Sequence, residues 1–164
     1  MINSYKFFFL WVLITAFTIS ALAQSDSAVI KKLSKKADAI LTGKVTKKES
    51  NWNKSKTRIY TKATIEVDEV LKGNNNRNYV EIMYPGGEVG DVGELYTHMP
   101  TFDKDEEVLV FLKKDKRNDT YKVLNGESGK MTVMEDTKTR EKITSSHMRI
   151  KDLKAKIKGF LKEQ

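Results

Sequence analysis

The chain has 164 residues, with 30 Lys or Arg against 22 Asp or Glu and a formal net charge of +8. It contains no Cys, which excludes a disulfide framework, thiolate metal ligation and a lipid-anchored lipoprotein. Lys greatly outnumbers Arg, a balance that favours diffuse attraction to anions over specific nucleic-acid recognition.

Residues 1–23 read as an export signal. Lys6 precedes the almost wholly apolar run Phe7 to Ile19, and Ala21-Leu22-Ala23 supplies the small residues a signal peptidase needs, with cleavage before Gln24. The alternative, an uncleaved anchor, is disfavoured because the stretch is short for a bilayer span of about 20 residues. Removing the signal removes one charge, Lys6, and leaves 141 residues with a net charge of +7. That length suits a single domain, residues 24–164, large enough to bury roughly 70 % of the surface its unfolded chain exposes. The expected location is periplasmic or extracellular.

Asp26 and Ser27 can cap a helix from about Ala28 to Lys36, with Val29, Ile30, Leu33 and Ala37 on one side. Ile40 to Val45 reads as a strand, and Gly43 inside it marks a bulge or bend. A polar, basic link follows. From Ile59 to Val67 the odd positions are directed to one face and the even positions, from Tyr60 to Asp68, to the other, the clearest amphipathic strand present. Leu71-Lys72-Gly73 and Asn74 to Asn76 form a turn. Val80, Ile82 and Tyr84 then alternate with Tyr79, Glu81 and Met83 until Pro85-Gly86-Gly87 stops the strand. Val108 to Leu112 is apolar without alternation, as in a central strand covered on both faces, and Thr120 to Leu124 is its hairpin partner. Lys130 to Met134 supplies one more strand. Ile150, Leu153, Ile157, Phe160 and Leu161 form an apolar stripe on a final amphipathic helix.

Five or six short, glycine-punctuated strands flanked by two helices predict a mainly β fold: a small OB-like antiparallel barrel, with a sandwich as the alternative. Ala37-Asp38-Ala39-Ile40-Leu41-Thr42-Gly43-Lys44-Val45, followed by Ile65 to Gly73 and Val80 to Tyr84, resembles the netrin-like module of the tissue inhibitors of metalloproteinases. There an Ala-Asp-apolar-apolar strand near the mature N-terminus precedes a strand ending in Leu-Lys-Gly or Phe-Lys-Gly. Pro85-Gly86-Gly87 and Glu106 to Leu112 resemble a version found in exported bacterial proteins. The resemblance covers Ala37 to Val133 and implies an OB-like five-stranded barrel. The family's inhibitory chemistry does not carry over: it needs an N-terminal cysteine held by disulfides to chelate the target's zinc, and this chain offers Gln24.

Of the candidate sites, Lys47, Lys48, Lys54, Lys56 and Arg58 surround Trp52 between the first two strands, joining cationic charge to a ring able to stack on a sugar or base. An ordinary solvated loop has the same composition. Pro85 to Glu107 carries a net −6, through Glu88, Asp91, Glu94, Asp103 and their neighbours, which leaves +13 on the rest of the mature chain. Such a connection is too long for a bare hairpin loop, and a short strand near Glu94 to His98 is expected within it. Its glycines and acids match neither calcium-loop pattern, so it balances a basic body as a solvated acidic loop. His98 and His147 lie far apart and fit no metal-ligand spacing. No Gly-x-Ser-x-Gly elbow is present. Lys151, Lys154, Lys158 and Lys162 flank the stripe of the last helix, where like charges repel, so packing must hold that helix.

These observations lead to an exported, non-enzymatic binding module that engages a protein or an anionic envelope polymer through a basic surface, with no cofactor, no metal and no specific nucleic acid. A secreted protease modulator acting without zinc chelation and a hydrolase built on unrecognised carboxylates are the alternatives.

Overall fold

The computed structural model describes residues 27–74 and 77–163. The predicted signal, the predicted cap at Asp26, and Asn75 and Asn76 of the asparagine turn lie outside the described residues. The chain divides into two compact units, residues 1–32 and 33–164. In the first, residues 27–32 are helical and open helix α1, which ends at residue 36. The second holds the end of that helix and everything that follows.

The protein is mainly β, with one helix before the strands and one after them. The strands are β1 Ala39–Trp52, β2 Ile59–Lys72, β3 Tyr79–Pro85, β4 Gly87–Val89, β5 Val92–Glu94, β6 Glu107–Asp115, β7 Thr120–Val123, β8 Lys130–Glu135 and β9 Lys142–Thr144, followed by helix α2 Ile150–Lys162. The seven-stranded sheet runs β1-β2-β3-β7-β6-β8-β9, and β1 also pairs with β6. Five strands thereby close a hydrogen-bonded ring, β1-β2-β3-β7-β6. Every pairing in the ring is antiparallel except β3 with β7, which run parallel at Ile82 and Tyr121. β4 and β5 form a separate hairpin.

The alternation predicted for β2 and β3 is realised. Ile59, Thr61, Ala63 and Ile65 are buried on β2, and Val80, Ile82 and Tyr84 on β3. One cluster joins Leu41, Val45, Ile65, Ile82, Phe102 and Val110, among others. On β6 the residues Leu109 and Phe111, which alternate with cluster members, are fully buried as well, as expected for a strand covered on both faces. Leu153 and Ile157 are the buried residues of α2, with the rest of the predicted stripe half-buried.

β1 has to bend to meet two partners, and register shifts occur at Ile40/Leu41, Thr42/Gly43 and Val45/Lys47. Gly43 sits where β1 pairs with β2 and β6 together, and a Cβ there would overlap the Glu66 carbonyl. The glycine is required for this close approach rather than for a left-handed conformation.

Two expectations are corrected, and one strand was not foreseen. The basic link after Val45 is mostly strand: β1 continues to Trp52, opposite Ile59, so only residues 53–58 form a loop. Cross-strand pairing overrides the weak strand propensity of Lys, Glu and Asn there. The acidic connection holds a two-stranded hairpin that ends at Glu94, in place of a strand running to His98. Its turn is Gly90-Asp91, with Gly90 at φ 60. Finally, β9 escapes sequence reading because three residues are too few to establish a period.

Candidate binding cleft

The loop between β1 and β2 is built by one side chain. Asn53 Oδ1 accepts hydrogen bonds from the backbone N–H of Thr57 at 2.8 Å and of Arg58 at 3.3 Å, and its Nδ2 donates to Thr57 Oγ1 at 3.0 Å. Lys56 takes the left-handed conformation at the turn, φ 54, and its N–H donates to the Asn53 carbonyl at 2.9 Å. An Asx-type closure of this kind orders a loop that has no core of its own. Trp52, the last residue of β1, and Lys54 are held at its base.

Opposite stands the loop between β6 and β7. Asp115 accepts from the Arg117 N–H at 3.0 Å and holds the Lys122 ammonium at 2.8 Å. The ammonium bond lowers the Asp115 pKa, as does the Arg117 N–H. Between the two loops lie the outward positions of β2 and β3, Tyr60, Lys62 and Met83, with Met99 and Pro100 on a further wall.

Together these groups line a cleft of about 920 Å³, within the range of about 300–1,000 Å³ usual for ligand sites. Trp52 is half-buried and Tyr60 is 38 % exposed, so both rings are open to a stacking partner. Four cations border the space, Lys54, Lys62, Arg117 and Lys122, against two carboxylates, Glu49 and Asp115. Each carboxylate is already held by a lysine, Glu49 by Lys47 at 2.8 Å and Asp115 by Lys122. Lys54 and Arg117 are exposed and have no ion-pair partner among the described residues, so these two are the cations most available to a ligand.

A second cavity of about 550 Å³ adjoins the first and shares Thr61, Tyr84, Pro85 and Met99 with it. The β4–β5 hairpin contributes Gly87, Glu88, Gly93 and Glu94 to its lining. Glu94 Oε2 accepts from the Ile59 N–H at 3.1 Å and from the Tyr96 hydroxyl at 3.0 Å, pinning the hairpin to β2. The bond to Glu94 raises the Tyr96 pKa. Ser50 and Thr61 hydroxyls lie 2.8 Å apart, and Thr61 Oγ1 donates to the Gly86 carbonyl at 2.6 Å. Burial pushes the Tyr84 phenol above its ordinary pKa.

The basic segment predicted as one patch is therefore divided. Trp52 and Lys54 line the larger cleft, while Lys48 lines the smaller one and pairs with Asp103 at 3.3 Å. Lys47 is turned to Glu49, Lys56 is exposed at the loop's turn, and the Arg58 guanidinium lies 5.9 Å from the Tyr96 ring centroid. The acidic residues do not converge either. Glu88 and Glu94 border the smaller cavity, Asp91 is exposed at the hairpin turn and Asp103 faces Lys48. No cluster of His, Asp or Glu able to hold a metal occurs among the described residues.

Tyr60, Lys62, Met83, Arg117 and Lys122 were not singled out by sequence, although a signal existed for the first three. They occupy the outward positions of two adjacent alternating strands, so antiparallel pairing had to bring them to one face. No known protein-family model matches this chain, and comparison with curated proteins finds no relative.

Proposed function

We propose that the strand ring is an OB-like barrel and that the protein is an exported, non-enzymatic module that binds an anionic polysaccharide in the larger cleft. The barrel reading is supported by the ring order, in which strands one to three are consecutive and the third runs parallel to the last. A five-stranded barrel of this type binds ligands across its second and third strands, between the first and last hairpin loops. The cleft lies across the corresponding elements here. The observation that carries the ligand class is the joining of two open rings, Trp52 and Tyr60, to an uncompensated cation, Lys54, in one concave surface. Sugar rings stack on aromatic faces, while acidic groups on the polymer are drawn to the lysines. The two carboxylates beside the cleft are occupied as ion-pair partners, an arrangement for holding charge rather than moving protons.

Trp11 and Trp52 are the chain's two tryptophans, so in a protein comprising residues 24–164 all indole emission comes from the cleft. Titration with hyaluronan hexasaccharide at low salt should shift that emission saturably, and added salt should weaken the effect. Neutral maltohexaose should do neither. Equal responses to the two sugars, or no response to either, would overturn the proposal.

A further inference from the structure

The smaller cavity has the opposite balance of charge to the larger cleft. Hydroxyls of Ser50 and Thr61 and the carboxylates of Glu88 and Glu94 border it, and Lys48 is the one cation among the described residues that does so. Glu94 uses Oε2 for Ile59 and Tyr96, while Oε1 has no partner among the described residues. Lys48 spends its charge on an exposed aspartate, Asp103, whose side chain is 84 % accessible. A carboxylate-bearing residue placed here would meet Glu88 and Glu94 as like charges, whereas a neutral sugar would find acceptors for its hydroxyl and amide protons. Leu95, 88 % exposed, stands at the rim and offers apolar cover for a ring face.

Resting on the binding reading above, we propose that the smaller cavity is a second subsite for the same polymer, taking a neutral, hydroxyl- or amide-bearing sugar beside the anionic unit held at Trp52. Two facts argue for one ligand spanning both. The cavities share four lining residues, so they adjoin one another at Pro85 and Met99. Their volumes, about 920 and 550 Å³, together exceed the span of about 300–1,000 Å³ that accommodates a single small ligand. The protein thus reads an alternating oligomer, anionic then neutral, in preference to a uniform polyanion or an acidic peptide.

Hyaluronan fragments alternate in this way and provide the probe. Trp52 emission is titrated with fragments from disaccharide to octasaccharide, and in parallel with oligogalacturonates and poly-glutamate of matching lengths. Affinity for hyaluronan should rise about tenfold or more as the fragment grows long enough to enter both spaces, while the uniform polymers gain much less with length. Gly93→Phe fills the smaller cavity, and the backbone tolerates it because a Cβ there meets only Glu88 Cγ, at 3.6 Å. It should flatten the length dependence. Glu88→Ala, which removes one of the cavity's acceptors from an exposed position, should reduce that dependence independently, whereas Trp52→Phe should weaken short and long fragments alike, followed by calorimetry in place of emission. A flat length series with a sound response to the disaccharide overturns the second subsite and leaves the larger cleft's function standing. Binding of poly-glutamate as tight as that of hyaluronan overturns the sugar specificity, and silence toward every probe removes the reading on which both proposals rest.

Discussion

The Lys130 ammonium reaches both oxygens of the Glu106 carboxylate, at 2.6 Å to Oε1 and 2.8 Å to Oε2. Their side chains are 13 % and 12 % accessible, the most enclosed ion pair among the described residues. Lys130 also donates to the Thr101 carbonyl at 2.5 Å and lies 4.9 Å from the Phe102 ring centroid. Glu106 further accepts from Thr132 Oγ1 and from the Asp103 N–H. One pair thereby fastens the irregular segment before β6 to β8 and keeps Phe102 in the core.

Removing one member leaves a charge enclosed without its partner. Lys130→Met should cost about 3 kcal/mol of unfolding free energy in urea titration. The double variant with Glu106→Gln should recover part of that loss, and a loss equal to the sum of the two single variants would show that the residues act independently.

Two glycines should respond oppositely to alanine. At Gly43 the new methyl group overlaps the Glu66 backbone, which cannot swing away, so Gly43→Ala should destabilise by about 1–3 kcal/mol. At Gly159, within α2, a Cβ meets nothing within 4 Å. Gly159→Ala should therefore raise stability by up to about 1 kcal/mol through helix propensity alone. Thermal melts of the two variants provide the comparison.

Glu69 on β2 receives Lys154 at 2.9 Å and Lys158 at 2.8 Å from α2, so two of the four lysines flanking the helix's stripe share one carboxylate. A third, Lys151, bonds Glu141 at 2.7 Å. These contacts offset the repulsion along the helix. Bonds from Lys158 first and Lys154 second lower the Glu69 pKa below its ordinary 4.5. Since the folded value is depressed, the carboxylate's contribution is complete above about pH 4.5 and is lost as pH falls through the lower folded value. Protection factors of the α2 amides, corrected for the intrinsic pH dependence of exchange, should fall across that acid range, and Glu69→Gln should show the lower protection already at neutral pH. Unchanged protection in the variant would mean that apolar packing alone docks the helix.

Asn53 organises the loop beside Trp52 through three hydrogen bonds. Asn53→Ala should cost about 1 kcal/mol of stability and weaken hyaluronan binding several-fold, because Trp52 and Lys54 lose their fixed support. Asn53→Asp retains the acceptor for both N–H groups and should restore most of the binding. Equal defects in the two variants would separate loop order from affinity.

Much of the frame was legible in the order of residues. Alternation located the buried faces of β2 and β3, the unbroken apolar run located β6, and the spacing of Leu153 and Ile157 located the inner side of α2. These are consequences of side-chain periodicity, which depends only on neighbours along the chain. The extension of β1 to Trp52 was not legible, because Lys47 to Asn51 lack strand propensity and are held as a strand by β2. Nor was the splitting of the basic segment, since whether Lys48 faces Asp103 or Lys47 faces Glu49 depends on strands whose partners lie elsewhere in sequence.

By itself the sequence determined a cysteine-free, basic chain rich in strands, with a helical pattern on each side of them and an aromatic residue set among lysines. Only the tertiary structure decided that β1 would touch both β2 and β6 and close the ring. That closure alone sets the β1–β2 loop against the β6–β7 loop, placing Trp52 and Lys54 across from Arg117 and Lys122. The reason is that periodicity fixes which face of a strand is buried, whereas a cleft is made by contacts between residues more than sixty positions apart, which no local pattern encodes.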